Sequence, residues 1–327
     1  MIAVVTHHTY LLPVFGFGTT GVTMFFTLSG FLITALLIEE RDGSGRLDLR
    51  GFYMRRACRL LPALAVFVLV MVWRDGSWAA LRDAGIVFAY VGNWAIIAGN
   101  HLGSFHHTWS LAVEEQFYLL WPLVIVGFAR RPRLLAWITG LAISAAIAGR
   151  FIVWDGGAGY IRAYYGSDIR SDAILTGCLL ALLMRRRPEA GSGRPILCIA
   201  GLAGLVALPI AAGNHPGMYA VVLPTLVPGL MAVAIYALVS GPVPGWLTSR
   251  ALTTIGQRSY ALYLWHYLCL ALAWRLPLHP ILQTIAGLGL AWMITCASWH
   301  LVEQPFMRRW GQRRQRRTTM AAAATPA

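Results

Sequence analysis

Long stretches of this sequence carry no charged side chain, and short polar or basic segments separate them. Residues 1–38, 195–249 and 276–302 contain no Asp, Glu, Lys or Arg. Each stretch exceeds the roughly 20 apolar residues that a helix needs to cross a bilayer. Because a spanning segment must satisfy its own backbone hydrogen bonds, this pattern predicts an integral membrane protein made of helices.

The residues that interrupt the apolar runs divide the chain into about ten predicted spans. These are residues 1–13, 19–38, 60–73, 109–128, 134–153, 171–184, 196–212, 219–240, 257–275 and 281–302. The predicted fold is therefore an all-α, polytopic transmembrane helix bundle, with residues 1–307 as one membrane domain. Residues 308–327, basic and then Ala-rich, are predicted to be a disordered cytoplasmic tail.

Arginine supplies all 27 basic residues, and most of them fall in alternate loops. With ten spans and both termini in the cytoplasm, 20 arginines lie on the inner side and 5 on the outer side, while Arg150 and Arg258 lie within spans. Short arginine-rich loops stay cytoplasmic, which supports this topology. The same bias favours a re-entrant or interfacial segment over an eleventh crossing for residues 84–99.

Composition narrows the possible partners. A net charge of +14 is typical of nucleic-acid binding, but here the excess lies in short blocks between apolar runs. The predicted partner is the lipid bilayer, with no nucleic acid. The five cysteines stand singly and show neither metal-site nor disulfide spacing, so no metal site is predicted.

Ionisable residues within spans are costly and usually face the bundle interior. Those in the predicted spans include His7 and His8, then Glu114 and Glu115, then His266. On the fourth span Ser110, Glu114, Phe117, Tyr118 and Trp121 recur at three- and four-residue spacing, so they share one helix face. Two interpretations stay open: a glutamate that fixes helix packing, or a carboxylate that orients a histidine or a substrate hydroxyl.

Histidine is the natural general base near neutral pH, although a lone membrane histidine is often structural. His7 and His8 point roughly 100° apart, so at most one of them faces a given site. At the cytoplasmic end of the third span, Arg56 and Arg59 share a helix face and are suited to binding phosphates. The alternative is a cluster that only sets topology.

Several sequence blocks together resemble the acyltransferase-3 family of bacterial membrane acyltransferases. In order they are residues 7–8, 21–33, 52–62, 107–122, 170–177, 259–266 and 303–306. The resemblance covers almost the whole chain. It implies a ten-helix, multi-pass protein of the bacterial inner membrane, with acyl-coenzyme A as donor and no permanently bound cofactor. The implied activity is transfer of an acyl group, with acetyl expected, to a hydroxyl of a carbohydrate, glycan, lipid or secondary metabolite.

The resemblance also assigns residues. It makes the first-span histidine catalytic, and the spacing to Gly21 fits His8 better than His7. It maps the donor-binding arginines to Arg56 and Arg59. The remaining candidates are Glu114, Ser110 and His107, which would orient the base or the acceptor, and Trp109, Tyr118, Tyr263 and His266 as substrate-binding residues.

Two departures and one rival function remain. The family places an arginine eleven residues before the histidine, so either translation starts upstream of Met1 or the domain works without it. Thr23 stands where an acidic residue is common. The alternative function is a membrane transporter or flippase without acyl transfer, since polar residues at mid-membrane also mark substrate paths. Internal repeats would indicate a transporter, and the sequence shows none.

Overall fold

The computed structural model describes residues 16–155, 159–185, 194–213 and 215–309. Every regular element within these ranges is helical, which confirms the all-α prediction for the described chain. The predicted first span and residues 310–327 of the predicted tail lie outside the described residues.

The described helices are numbered here in chain order. They are α1 Gly16–Ser44, α2 Leu49–Asp75, α3 Trp78–Phe88, α4 Gly92–Ile97, α5 Trp109–Gly127, α6 Pro132–Val153, α7 Gly159–Tyr165, α8 Ser167–Leu183, α9 Arg194–Ala212, α10 Leu223–Ser240, α11 Arg250–Gln257, α12 Ser259–Ala273 and α13 Pro280–Ser298. A 3₁₀ turn, Gly103–Thr108, leads into α5, and π-helical turns occupy Met218–Val222 and Trp299–Glu303.

Five of the described helices are long and apolar enough to cross a membrane. They are Gly16–Ser44, Leu49–Asp75, Pro132–Val153, Met218–Ser240 and Pro280–Arg309, and two shorter apolar helices cover Ile196–Ala212 and Ser259–Ala273. All seven coincide with predicted spans, as do α5 and α8. A membrane protein with several candidate spans is therefore supported, while the count of ten and the side of each terminus stay predictions.

The outward surface of these helices is apolar. Leu69, Trp137 and Ile152 are 68%, 75% and 82% exposed, and many other large aliphatic side chains also point outward. A water-soluble protein rarely exposes apolar side chains in such number, whereas lipid tails solvate them without cost. The surface therefore fits a protein surrounded by hydrocarbon.

The apolar segment 84–99 does not form one continuous helix. It is divided between α3 and α4, with Tyr90 between them in the left-handed region at φ 53°. At 1.5 Å per residue, an 11-residue α3 extends about 16 Å, well short of the roughly 30 Å hydrocarbon core. The broken geometry agrees with the predicted re-entrant or interfacial segment.

The described residues divide into two compact units, one within residues 1–47 and 82–249 and the other within residues 48–81 and 250–327. In the first unit, α1 and α8 approach closely where each carries a glycine. A Cβ on Gly30 would lie 1.9 Å from the carbonyl oxygen of Ile174, and a Cβ on Gly177 would lie 1.9 Å from that of Thr27. Only glycine fits at these two positions.

Three helix ends meet at one end of the first unit. Arg185, after α8, pairs with Asp42 of α1 at 2.8 Å, and Arg41 donates to the carbonyl oxygen of Ala129, after α5, at 3.3 Å. The C-terminal ends of α1, α5 and α8 therefore lie on the same side of the membrane. All three following loops are predicted to be cytoplasmic from the excess of arginine in them.

The second unit contains α2 and α11 to α13. The Asp48 side chain caps α2 by accepting the Gly51 N–H at 2.8 Å, and Gly76 ends the helix at φ 70°. Phe67 of α2 meets Trp265 of α12 edge-to-face, with ring centroids 5.3 Å apart. This packing anchors α12 against α2.

Candidate active site

Glu114 is a buried carboxylate held by two helices of the first unit. It lies on α5, is 4% exposed, and accepts a hydrogen bond from the Ser29 hydroxyl of α1 at 2.6 Å. The Tyr118 hydroxyl, one turn further along α5, also donates to it. Two hydroxyl donors stabilise the carboxylate and fix its direction, so Glu114 is pre-organised to hold another group.

Trp109, the first residue of α5, lies in a cluster of aromatic rings. Its ring centroid lies 6.4 Å from Phe26, 5.2 Å from Tyr164 and 4.9 Å from Tyr165. The 3₁₀ turn before α5 brings Trp109 to this position, and Thr108 stabilises the turn by donating to the Phe105 carbonyl at 2.8 Å. The rings are inclined to Trp109 by 51° to 82° and form an apolar wall suited to contact with a sugar face or an acyl chain.

His106 and His107 occupy different surroundings on this turn. His106 Nε2 lies 3.0 Å from the Tyr165 hydroxyl, whereas His107 and Ser110 are both buried. The pKa of His106 lies below its ordinary value, because burial disfavours the imidazolium and nearby His101 repels a second positive charge. His106 is therefore neutral near pH 7 and can exchange a hydrogen bond with the tyrosine.

Amide and hydroxyl groups tie α4 and α5 to α8 beside this cluster. Gln116 donates to the Tyr90 carbonyl at 2.6 Å and to Asn93 Oδ1 at 3.0 Å, and it accepts from Ser167 at 2.5 Å. Asn93 in turn donates to the Ser167 hydroxyl at 2.7 Å. The network holds the left-handed Tyr90 in place and fixes the middle of α5 relative to the N-terminal end of α8.

Three buried charged residues lie between α6 and α8. Arg150 pairs with Asp172 at 2.7 Å and donates to Thr225 at 2.9 Å. Arg170 is completely buried and donates to the Thr23 hydroxyl at 2.9 Å. The Thr23 substitution noted in the sequence therefore places a neutral hydroxyl beside a buried arginine.

The second unit contains the predicted donor-binding arginines. Arg56 and Arg59 lie on α2 three residues apart and so on one face, with Arg56 partly buried and Arg59 exposed. Buried Glu303 accepts from Ser298 at 3.3 Å and attracts Arg59 electrostatically. Arg59 therefore has an electrostatic partner in this unit as well as an exposed guanidinium.

His266 and Tyr263 of α12 contact each other in this unit. The His266 Nδ1 lies 2.7 Å from the Tyr263 carbonyl oxygen, and the two rings are 5.6 Å apart. A carbonyl only accepts, so Nδ1 carries the proton and a neutral His266 presents Nε2 as an acceptor. His7 and His8 lie outside the described residues. Within the described ranges, no group of three or more His, Cys, Asp and Glu side chains could hold a metal.

Comparison with known families decides the classification. The family model described as an acyltransferase domain matches residues 1–302. The chain belongs to the acyltransferase-3 family. The resemblance predicted from the ordered motifs is confirmed, together with the prediction of an O-acyltransferase domain.

Two relatives illustrate the similarity of this acyltransferase domain to characterised proteins. O-acetyltransferase OatA of Staphylococcus aureus is 34% identical over 282 residues, covering 76% of this chain and 45% of the relative. Peptidoglycan O-acetyltransferase OatA of Listeria monocytogenes is 34% identical over 297 residues, covering 82% and 47%. The chain thus spans about half the length of these curated relatives. No solved structure matches it significantly.

The structure of the acyltransferase domain adds residues that sequence reasoning missed. Glu114 and Tyr118 share a face of α5 as the helical period predicts, while the catalytic role of Glu114 and the substrate-binding roles of Tyr118 and Trp109 stay predictions. Arg170, His106 and Tyr165 were not singled out. A signal existed for Arg170, since its block, residues 170–177, contributes to the family resemblance.

Proposed function

We propose that this chain is a membrane O-acyltransferase that moves an acetyl group from acetyl-coenzyme A to a hydroxyl of a glycan. The observation that carries the proposal is Glu114, a buried carboxylate fixed by Ser29 and Tyr118. On α1, Ser29 lies one turn from Phe26, whose ring contacts Trp109. A purely structural glutamate would be an expensive way to join two apolar helices. A fixed carboxylate suits the orientation of a base or an acceptor hydroxyl.

The names of the relatives support a glycan as the acceptor class. Both are named O-acetyltransferases, and one is named for peptidoglycan. The aromatic wall fits a sugar ring, because apolar sugar faces stack on aromatic side chains. We therefore assign a cell-wall glycan hydroxyl as acceptor, and a multi-pass location in the bacterial cell membrane.

The proposed mechanism needs a base, a positioned donor and an oriented acceptor. His8 removes the proton from the acceptor hydroxyl as the hydroxyl oxygen attacks the thioester carbonyl carbon.

Arg56 and Arg59 hold the coenzyme A phosphates at the cytoplasmic side, because planar guanidinium groups bind phosphates bidentately. Glu114, or alternatively Ser110 or His107, orients the base or the acceptor. Tyr118, Tyr263 and His266 contribute to substrate binding.

Donor binding is tested with purified protein in lipid nanodiscs, by following coenzyme A release from acetyl-coenzyme A with a glycan acceptor. Arg56→Ala and Arg59→Ala should each raise the Michaelis constant for the donor, because a charge-assisted contact is worth about 1.5–3 kcal/mol. Lysine at either position should recover part of the loss. The control is Arg50→Ala, an exposed arginine of the same helix. An unchanged Michaelis constant for the donor in both alanine variants would indicate that Arg56 and Arg59 only set the topology.

A further inference from the structure

Arg170 is a buried arginine whose hydrogen-bonding capacity is mostly unused. Its exposed fraction is 0%, and among the described residues its one hydrogen bond runs from Nη2 to the Thr23 hydroxyl. No described residue is a hydrogen-bond partner of Nε or Nη1, which leaves three N–H groups unpaired within the described structure. Unpaired charged donors in a dry interior cost free energy, and native proteins retain them where they serve a function.

The neighbouring carboxylate does not neutralise Arg170. Asp172, two residues along α8, forms its ion pair with Arg150, and both side chains are buried. In the part of the chain that the structure describes, no carboxylate lies within ion-pair distance of Arg170. The guanidinium is therefore a cation without a counter-ion among the described residues. It is suited to stabilise negative charge that a ligand brings or that develops during a reaction.

Aromatic rings define where such a ligand sits. The guanidinium carbon of Arg170 lies 5.8 Å from the centroid of Phe26 and 5.6 Å from that of Tyr164. The same two rings contact Trp109, the predicted substrate-binding residue at the start of α5. Arg170 therefore adjoins the aromatic wall rather than a separate part of the unit.

Complete burial selects the kind of ligand. A permanent anion would have to shed its hydration shell to reach Arg170, which is costly in an apolar interior. An acyl carbonyl arrives neutral and becomes negative only in the transition state. We propose that Arg170 is a catalytic residue that binds the acyl carbonyl oxygen through Nε and Nη1, with Phe26, Tyr164 and Trp109 enclosing the acyl group.

This assignment rests on the proposed acyl transfer and names its oxyanion-binding group. The acceptor oxygen forms a bond to the carbonyl carbon and loses its proton to the base, while the C=O π pair moves onto the carbonyl oxygen beside Arg170. The pair then re-forms the carbonyl as the C–S bond breaks. The thiolate leaves and takes the proton from the base, so atoms and charge balance.

The test compares Arg170→Gln and Arg170→Lys with wild type in nanodiscs. The matched control is Arg82→Gln, at an exposed arginine that pairs with Asp83 at 2.7 Å. Loss of an oxyanion donor lowers kcat by about 10²- to 10³-fold, so Arg170→Gln should fall in that range with both Michaelis constants unchanged. Arg170→Lys keeps the positive charge but lacks the planar guanidinium with its parallel N–H donors, so it should recover only part of kcat.

A second readout does not depend on turnover. Binding of 1,1,1-trifluoroacetone, a neutral ketone whose hydrate resembles the tetrahedral intermediate, is followed by ¹⁹F NMR. Wild type and Arg82→Gln should bind it, and Arg170→Gln should not. If wild type transfers no acyl group, the proposed function fails, and this probe still decides the carbonyl-binding role.

Other results overturn the assignment while leaving acyl transfer intact. If Arg170→Gln and the control have equal kcat values, Arg170 takes no part in catalysis. If the Michaelis constant is raised and kcat is unchanged, Arg170 instead binds an anionic group of the substrate. If Arg170→Gln does not fold, Arg170→Lys is the variant that tests the assignment. Full activity of Arg170→Lys would contradict binding of the carbonyl oxygen by the planar guanidinium, and a reduced kcat with retained folding would support it. Equal ketone binding in the folded Arg170 variant and wild type also contradicts the assignment.

Discussion

At the scale of residues, the first unit concentrates its polar groups in a few buried contacts. Glu114 accepts from Ser29 and Tyr118, and Arg150 pairs with Asp172. Such groups lower stability unless every partner is present, because the apolar surroundings offer no replacement solvation. The energetic effect of removing a partner should therefore depend on burial.

Two aspartates one turn apart on α8 test this dependence. Asp172, paired with Arg150, is 2% exposed, whereas Asp168, paired with Arg162, is 55% exposed. Asp172→Asn leaves Arg150 buried without its counter-ion and should lower the free energy of unfolding by about 3–5 kcal/mol. Asp168→Asn should cost at most about 1 kcal/mol. Equal losses in denaturation of detergent-solubilised protein would show that the buried pair is not a stabilising contact.

Residue-level reasoning from sequence succeeded where the signal was local. Glu114 could be singled out because a carboxylate within an apolar run needs a reason, and its pairing with Tyr118 follows the helical period. The partner Ser29 is 85 positions away, and the Thr23 contact of Arg170 spans 147 positions. Those contacts arise from helix packing, which a single sequence does not specify.

At the scale of elements, glycines of α1 and α8 form a close helix contact in the first unit. This contact sets the spacing that lets Ser29 reach α5 and Thr23 reach Arg170. A side chain at Gly30 or Gly177 would meet backbone rather than a movable side chain. The two helices would have to separate.

Gly177→Ala and Gly30→Ala should therefore destabilise the first unit. Overpacking costs about 1–3 kcal/mol or more, because the added methyl meets a carbonyl oxygen at 1.9 Å. Gly140→Ala and Gly149→Ala in α6 meet nothing within 4 Å and should be neutral or stabilising by up to about 1 kcal/mol. Thermal unfolding of the four purified variants separates the two pairs, and similar midpoints in all four would refute the close contact.

The positions of the helices could largely be predicted, and their packing could not. Apolar runs locate nine predicted spans on described helices because hydrophobic length is a local property. The break at Tyr90 was only partly anticipated, since arginine bias argued against a crossing without indicating two short helices. Its stabilisation by Gln116 is a tertiary contact.

At the scale of the whole molecule, the polar contacts of the first unit bear on which side of the membrane each helix end occupies. Arg41, Asp42 and Arg185 gather three helix ends at one end of the first unit. The network at Asn93, Gln116 and Ser167 joins the middle of α5 to the opposite, N-terminal end of α8. With the cytoplasmic assignment of the arginine-rich loops, Trp109 and Arg170 lie towards the outer side, where a cell-wall acceptor would be met.

The topology follows from the excess of arginine on one side. Reporter fusions or cysteine labelling should place residues 185–194 and the C-terminus in the cytoplasm and residues 213–217 outside. The ion pair between Asp42 and Arg185 further requires residues 42 and 185 to lie on one side. A C-terminal reporter active outside the cell would refute the ten-span topology.

The central claim is acetyl transfer to a glycan hydroxyl, and ester formation measures it directly. Proteoliposomes receive labelled acetyl-coenzyme A and glycan fragments, and base-labile label on the glycan is counted. Wild type and Glu115→Gln should form ester. Glu114→Gln should form much less, and His8→Ala should lose about 10²- to 10⁴-fold, as expected for a missing general base. No ester above protein-free vesicles, or full activity after replacing both His7 and His8 by alanine, would contradict the account.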